Sequence, residues 1–308
     1  MQIFKRKISV IIVVLLAVFL VLGVYSSAVA RDLIILHTND IHGRIEIDEE
    51  QGQMGFPYIA SVVEDYRNNY DNVLVLDAGD TIHGQSLTNV FKGESSIKVM
   101  NKIGYDVMSP GNHDFNFGYT RLLELEEIME FDYISTNVVK DGEPILRPYT
   151  IKEVGDYKIG VFGITPTYTV GVVRPEHIEG IEFLDMVETA QHYVDIMREN
   201  YDLDIIIGLA NSSGADVAYA LEGIDLFVDG HGHDLYPEGE WRDDVLHVMA
   251  NEYTKYIGIV EIDFAEELQM TASVMSAEEV MNNYDYNIEI QDMLDDFRGR
   301  ATEILLGN

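Results

Sequence analysis

The chain has 308 residues, 47% of them hydrophobic, enough to bury one large core or two ordinary ones and too apolar for global disorder. It has no cysteine, which excludes disulfides, thiolate metal sites and cysteine nucleophiles. Against 54 acidic residues stand 20 basic ones, and the net charge of −34 argues against a nucleic-acid backbone or an anionic lipid surface as partner.

The first thirty residues read apart from the rest. Lys5, Arg6 and Lys7 precede the apolar run ISVIIVVLLAVFLVLGV at 8–24, and Ala28 and Ala30 close the segment in an A-x-A arrangement. This is the pattern of a secretory signal peptide cleaved after Ala30, which places the mature chain outside the cytoplasm and off the membrane. An uncleaved anchor is the rival reading, and the run is short for a span.

Residues 31–285 read as one α/β domain. DLIILHTND (32–40) and NVLVLDAGD (72–80) are apolar runs ending in polar residues, as in buried strands that feed loops. Between them, FPYIASVVEDYRNNY (56–70) carries Ile59, Val62, Val63 and Tyr66 on one helical face. SSIKVMNKIGY (95–105) is a helix stopped by Gly104. YDVMSPGNHD is a short strand and a break, YTRLLELEEIM a helix, DYISTNVV a strand, and YTIKEVGDYKIGVFGIT a hairpin turning at Gly155 and Asp156. A helix near 185–199 precedes DIIIGLANSSG (204–214) and IDLFVDGHGHD (224–234), which repeat the strand-to-polar-loop form. LHVMANEY and YIGIVEIDF are further strands, and residues 286–308 hold a long amphipathic helix.

Five of these strands end in polar tips: HTNDIHG, DAGD, PGNHD, LANSSG and DGHGHD. Ligands of α/β sheets bind beyond the carboxyl ends of the strands. The tips carry Asp40, His42, Asp80, Asn112, His113, His231 and His233. Carboxylate, imidazole and amide without thiolate suit Mn, Zn or Fe, and an Asp able to bridge two ions is what a two-metal phosphoryl site needs.

The motifs D-x-H, G-D, G-N-H-D and G-H-x-H, each after a strand, resemble in order those of the calcineurin-like metallophosphoesterases, and within them the secreted 5′-nucleotidase branch, over roughly residues 32–305. The resemblance implies a four-layer α-β-β-α sandwich with helices outside two mixed sheets. It implies two divalent metal ions: Asp40, His42 and His233 at the first, Asp80 bridging, Asn112 and His231 at the second. Asn112 and His113 would meet the phosphate of a small-molecule ester, a nucleotide or a relative of one. His113 would protonate the leaving oxygen or stabilise charge while a hydroxide held by the ions attacks phosphorus in line.

Three departures weigh on that expectation. The loop after 204–209 usually supplies a metal-binding histidine, and the aligned residue here is Asn211, a weaker ligand. Where the branch reads GNHEFD, this chain reads GNHDFN, so Asn116 stands where a carboxylate would orient the catalytic histidine; an amide orients an imidazole without stabilising its cation. Full members carry a second, base-recognising domain after a long helix, so residues 286–308 are expected to be a linker to a separate C-terminal domain. The alternative function is therefore a non-catalytic metal- or phosphate-binding member of the same fold. Of the other histidines, His37 reads as core packing and His177, His192 and His247 as structural or surface. His83 reads equally as a loop residue or as one that reaches the site.

Overall fold

The computed structural model describes residues 33–212, 215–264 and 267–307, and the signal-peptide reading of residues 1–30 lies outside them. The strands are β1 Leu33–Thr38, β2 Val73–Asp77, β3 Val107–Met108, β4 Asp132–Tyr133, β5 Val138–Lys140, β6 Glu143–Pro144, β7 Tyr149–Val154, β8 Tyr157–Ile164, β9 Ile181–Phe183, β10 Ile205–Ala210, β11 Leu226–Val228, β12 Glu240–Arg242, β13 Val245–Val248, β14 Tyr256–Asp263 and β15 Gln269–Ser276. One six-stranded sheet runs β15-β14-β1-β2-β3-β4, and a second runs β12-β13-β11-β10-β8-β7. In the first, β1 to β4 are parallel, β14 runs antiparallel to β1, and β15 pairs antiparallel with β14. In the second, β8, β10, β11 and β13 are parallel and the edges β7 and β12 antiparallel. A small third sheet joins β6, β5 and β9.

Burial on both faces of the strand explains why Leu33–Leu36 of β1 are all apolar. Leu33 and Ile35 face the second sheet, packing with Val161, Ile207, Val228 and Leu246. Ile34 and Leu36 face outward, under the helices α1 Gly55–Asn69 and α2 Glu94–Ile103. After α3 Tyr119–Glu126, the helix α4 Met186–Asn200 covers the far side of the second sheet, laying Ala190, Val194 and Met197 on Phe162, Ile206 and Phe227. The result is the four-layer sandwich. The last helix, α5 Ile288–Leu306, buries Ile290, Leu294, Phe297 and Ala301 in the outer layer beside α1 and α2. Among the described residues, no helix is long and apolar enough to cross a membrane.

Besides short elements such as β9 and β12, two longer stretches differ from the sequence reading. DYISTNVV is two strands, β4 and β5, because its middle turns aside to bind the second sheet: Asn137 Oδ1 accepts from Thr165 N (2.9 Å), and its Nδ2 donates to Thr165 O (2.7 Å). Side-chain bonds of this kind displace ladder bonds. β15 and the helix Ala277–Asn283 after it lie where no element was expected. Met270 and Ala272 are the buried residues of β15, alternating with exposed Gln269, Thr271 and Ser273, so it carries no continuous apolar run.

Candidate active site

The parallel strands β1, β2, β3, β10 and β11 deliver their polar tips to one end of the sandwich. Asp40, His42, Asp80, His231 and His233 all sit at positive φ, between 49° and 69°. Non-glycine residues adopt this left-handed region at a cost of order 1–3 kcal/mol each, and they persist where the surroundings over-determine them.

Those surroundings are a dense backbone network. Asp114, wholly buried, accepts from the N–H groups of Asp80 (2.9 Å), Thr81 (3.0 Å), Ile82 (3.1 Å) and Gly111 (2.8 Å), tying the β2 loop to the β3 loop. Asp80 Oδ1 accepts from His113 N (2.6 Å). Asp40 Oδ2 accepts from His231 N (2.8 Å) and from Asn39 Nδ2 (2.7 Å), joining the first sheet's loops to the second's. Asp229, also wholly buried, receives Ser212 N, Ser212 Oγ and Gly230 N and lies 3.3 Å from His247 Nε2, fixing the Asn211 loop against the His231 loop. Close approaches require glycine here: a Cβ at Gly111 would strike Asp80 Oδ1, and one at Gly230 would sit 2.8 Å from Asn211 Nδ2.

The side chains meet inside this frame. Asp40, His42 and His233 bring one ligand atom each within 4.8 Å of one another, and so do His42, Asp80 and His113. His42 Nε2 and His233 Nε2 are 3.3 Å apart. Glu252 holds His233 Nδ1 at 2.5 Å. Asn211 is wholly buried, and its Nδ2 donates to Asp40 Oδ1 (3.3 Å) and Ala78 O (3.2 Å). Asn116 Nδ2 lies 2.9 Å from His113 Nδ1 and 3.1 Å from His83 Nδ1. His83, left open by the sequence, thus reaches the site, its ring nearly parallel to that of His113 at 5.9 Å. His37 is buried in β1, His247 is buried behind the site, and His177 and His192 lie apart from the cluster.

Burial pushes His42 down to about 3 and also lowers His113 and His231, so these imidazoles are neutral. His233 is pushed up by its interaction with Asp40. Burial, then the charges of Asp114 and Asp40, push the Asp80 carboxyl well above its usual range. Within this cluster, among the described residues, three side-chain oxygens are buried without a partner: Asp80 Oδ2, Asn112 Oδ1 and Asn211 Oδ1. Crowded carboxylates, neutral imidazoles and orphaned oxygens are the donor set of a divalent-cation site, and a cation there would supply the missing partner and offset the repulsion. Asp114, Asp229 and Glu252 carry the frame, and the sequence reading gave them no role. Asp114 and Asp229 stand in or beside a motif and Glu252 lies outside them, and only the bonds these carboxylates receive reveal what they do.

The chain belongs to the calcineurin-like phosphoesterase family, whose profile matches residues 33–236. It is 28% identical over 316 residues to the trifunctional nucleotide phosphoesterase protein YfkN of Bacillus subtilis, covering 89% of this chain and 21% of that one. It is 31% identical over 273 residues to the snake venom 5′-nucleotidase of Naja atra, covering 77% of this chain and 51% of the other. The chain thus spans about half the venom protein's length. The fold matches that of the sulfate thiohydrolase SoxB of Thermus thermophilus with a TM-score of 0.79 at 20% identity, over 88% of this chain and 61% of that one.

Proposed function

We propose that this chain is an exported, metal-dependent phosphoesterase that hydrolyses nucleotides or related phosphate esters. The observation that carries the reading is the set of three orphaned buried oxygens, on Asp80, Asn112 and Asn211, beside neutral imidazoles. Two divalent ions (Mn, Zn or Fe) would be held by Asp40, His42 and His233 and by Asn112, Asn211 and His231, with Asp80 serving both. Bound there, they supply Lewis acidity to a phosphoryl oxygen and a nucleophile from water at neutral pH.

The chain's own groups do the rest. Asn116 donates from Nδ2 to His113 Nδ1, which leaves the imidazole proton on Nε2. His113 therefore offers an N–H donor to the phosphate or its leaving oxygen, within a frame that the Asp80 and Asp114 backbone bonds hold rigid. Relatives of this family are named nucleotide phosphoesterases and 5′-nucleotidases, which supports the substrate class. The apolar, A-x-A-terminated start supports export.

Asn116 also supports the second reading, a non-catalytic binding protein, because an amide gives a His113 imidazolium no countercharge. Hydrolysis of a chromogenic phosphate ester separates the two. The first reading expects turnover that chelator abolishes and Mn restores; absence of turnover with Mn, Zn and Fe, while ions bind, selects the second.

A further inference from the structure

Arg44 follows the His42 motif by two residues, and its guanidinium carbon lies 3.4 Å from the centre of the Tyr253 ring. That ring in turn stands edge-on to His42 (5.5 Å) and His233 (5.7 Å), so the arginine is carried at the rim of the ion-binding cluster. The platform is built in. Tyr253 N donates to Asp40 O (2.9 Å), Thr254 Oγ1 donates to Arg44 O (3.4 Å), and Asn251, Tyr253 and Thr254 all hold positive φ, at 59°, 61° and 55°. Three strained residues in one loop mark a position the fold maintains.

The charge balance around this ring is uneven. Lys255 also lies over it, 5.2 Å from its centre, but Lys255 is paired with Glu252 at 2.9 Å. Arg298, the other guanidinium on the adjoining cavity, is taken by Glu46 at 2.6 Å and Asp295 at 2.7 Å. Arg44 donates only to His42 O (3.2 Å), and no carboxylate among the described residues pairs with it. In a chain with 54 acidic residues, an arginine stacked on a tyrosine rather than paired keeps its outward N–H donors for an external anion. It opens on a cavity of about 560 Å³ lined by Gly43, Arg44, Gln53 and Gln85 among others. The acids on that cavity are already engaged: Glu46 by Arg298, and Asp48 by the N–H of Gln51.

We infer that Arg44 on Tyr253 is an anion subsite, and that it selects phosphate esters bearing a second anionic group, phosphate or carboxylate, on the leaving side. The inference rests on the hydrolytic reading above. A planar guanidinium matches either oxyanion with two parallel N–H donors, and stacking on the ring keeps it extended. The anchored group is unchanged by the reaction. The scissile P–O bond breaks, the oxygen of water ends on the phosphate, and the leaving oxygen keeps the electron pair and takes a proton.

The test uses the full chain loaded with Mn and three substrates: phenyl phosphate with a neutral leaving group, inorganic pyrophosphate, and 2-phosphoglycolate. Arg44→Gln is expected to raise KM for the two doubly anionic substrates about tenfold or more relative to phenyl phosphate, from loss of the charge-assisted bidentate pair. A rise for pyrophosphate alone assigns the subsite to phosphate, and a rise for phosphoglycolate alone assigns it to carboxylate. An equal change for all three overturns the subsite. Arg44→Lys, which keeps the charge and the stem, is expected to give a smaller split of the same sign. Should Arg44→Gln fail to fold, absence of any split in Arg44→Lys overturns the proposal. If the wild-type chain turns over none of the three, the hydrolytic reading fails separately. The subsite is then judged by calorimetric binding of pyrophosphate against orthophosphate, where a preference of about tenfold that Arg44→Gln abolishes supports it, and no preference overturns it.

Discussion

Asp114 sits beside His113 in the chain, yet its work is mechanical: its two oxygens receive four backbone N–H groups and so hold the loops that present Asp80 and Asn112. Asn in its place keeps the shape but turns an N–H₂ toward two of those donors. Asp114→Asn is expected to cost about 3–5 kcal/mol, from two buried donors left unsatisfied, read as a lower urea midpoint in chelator. Asn211 acts differently. Its Oδ1 is orphaned and its Nδ2 is spent on Asp40 and Ala78. Asn211→Ala is expected to weaken the second ion about tenfold or more while leaving the first, checked by titration of the chelated protein with Mn. His37 gives a pH signature away from the site. Burial lowers its folded pKa from 6.5 to about 3, so in that window the unfolded chain binds a proton the folded chain does not. Its contribution is complete above pH 6.5 and lost as pH falls toward 3, at about 1.4 kcal/mol per pH unit. Urea midpoints between pH 4 and 7 should fall less steeply in His37→Leu; an unchanged slope removes His37 as the cause. At this scale the sequence was most legible where a motif side chain itself reaches the cluster, as Asp40 and His233 do. Asp229, Glu252 and Asp114 act through backbone and second partners that no local pattern displays.

The elements were readable where burial is two-sided. Leu33–Leu36 of β1, Val73–Leu76 of β2 and all of β10 are apolar because helices cover one face and the other sheet covers the opposite one. β15 escaped because it lies at a sheet edge with few buried positions, and β4 and β5 read as one because Asn137 diverts the chain by side-chain bonds. α5 was legible from its amphipathic period, but its place in the outer layer was not, since that depends on Phe91 meeting Phe297 at 5.0 Å across distant sequence. Phe297→Ala should therefore cost about 3–4 kcal/mol, seen as a drop in thermal midpoint, whereas the exposed Ile304→Ala should change it little. Equal effects at the two positions would place α5 outside the core.

Over the whole molecule, the charge of −34 and the site's chemistry meet in one place. Acidic residues elsewhere are solvated, and their mutual repulsion should make the fold more stable in high salt; the urea midpoint is expected to rise between low ionic strength and 1 M NaCl. At the strand tips the repulsion is buried, among Asp40, Asp80 and Asp114, and salt cannot screen it there. The architecture of two sheets with their strand tips at one end was legible in the order of the motifs. The left-handed backbone at Asp40, His42, Asp80, His231 and His233 was not, because Asp and His, although enriched there among non-glycine residues, adopt it only where tertiary contacts enforce it. If these tips are a two-ion site with Asp80 serving both ions, metal content decides the matter. The reconstituted protein, freed of excess metal, should carry two divalent ions per chain by elemental analysis, and Asp80→Ala fewer than one; two ions retained by the folded Asp80→Ala protein would contradict the assignment.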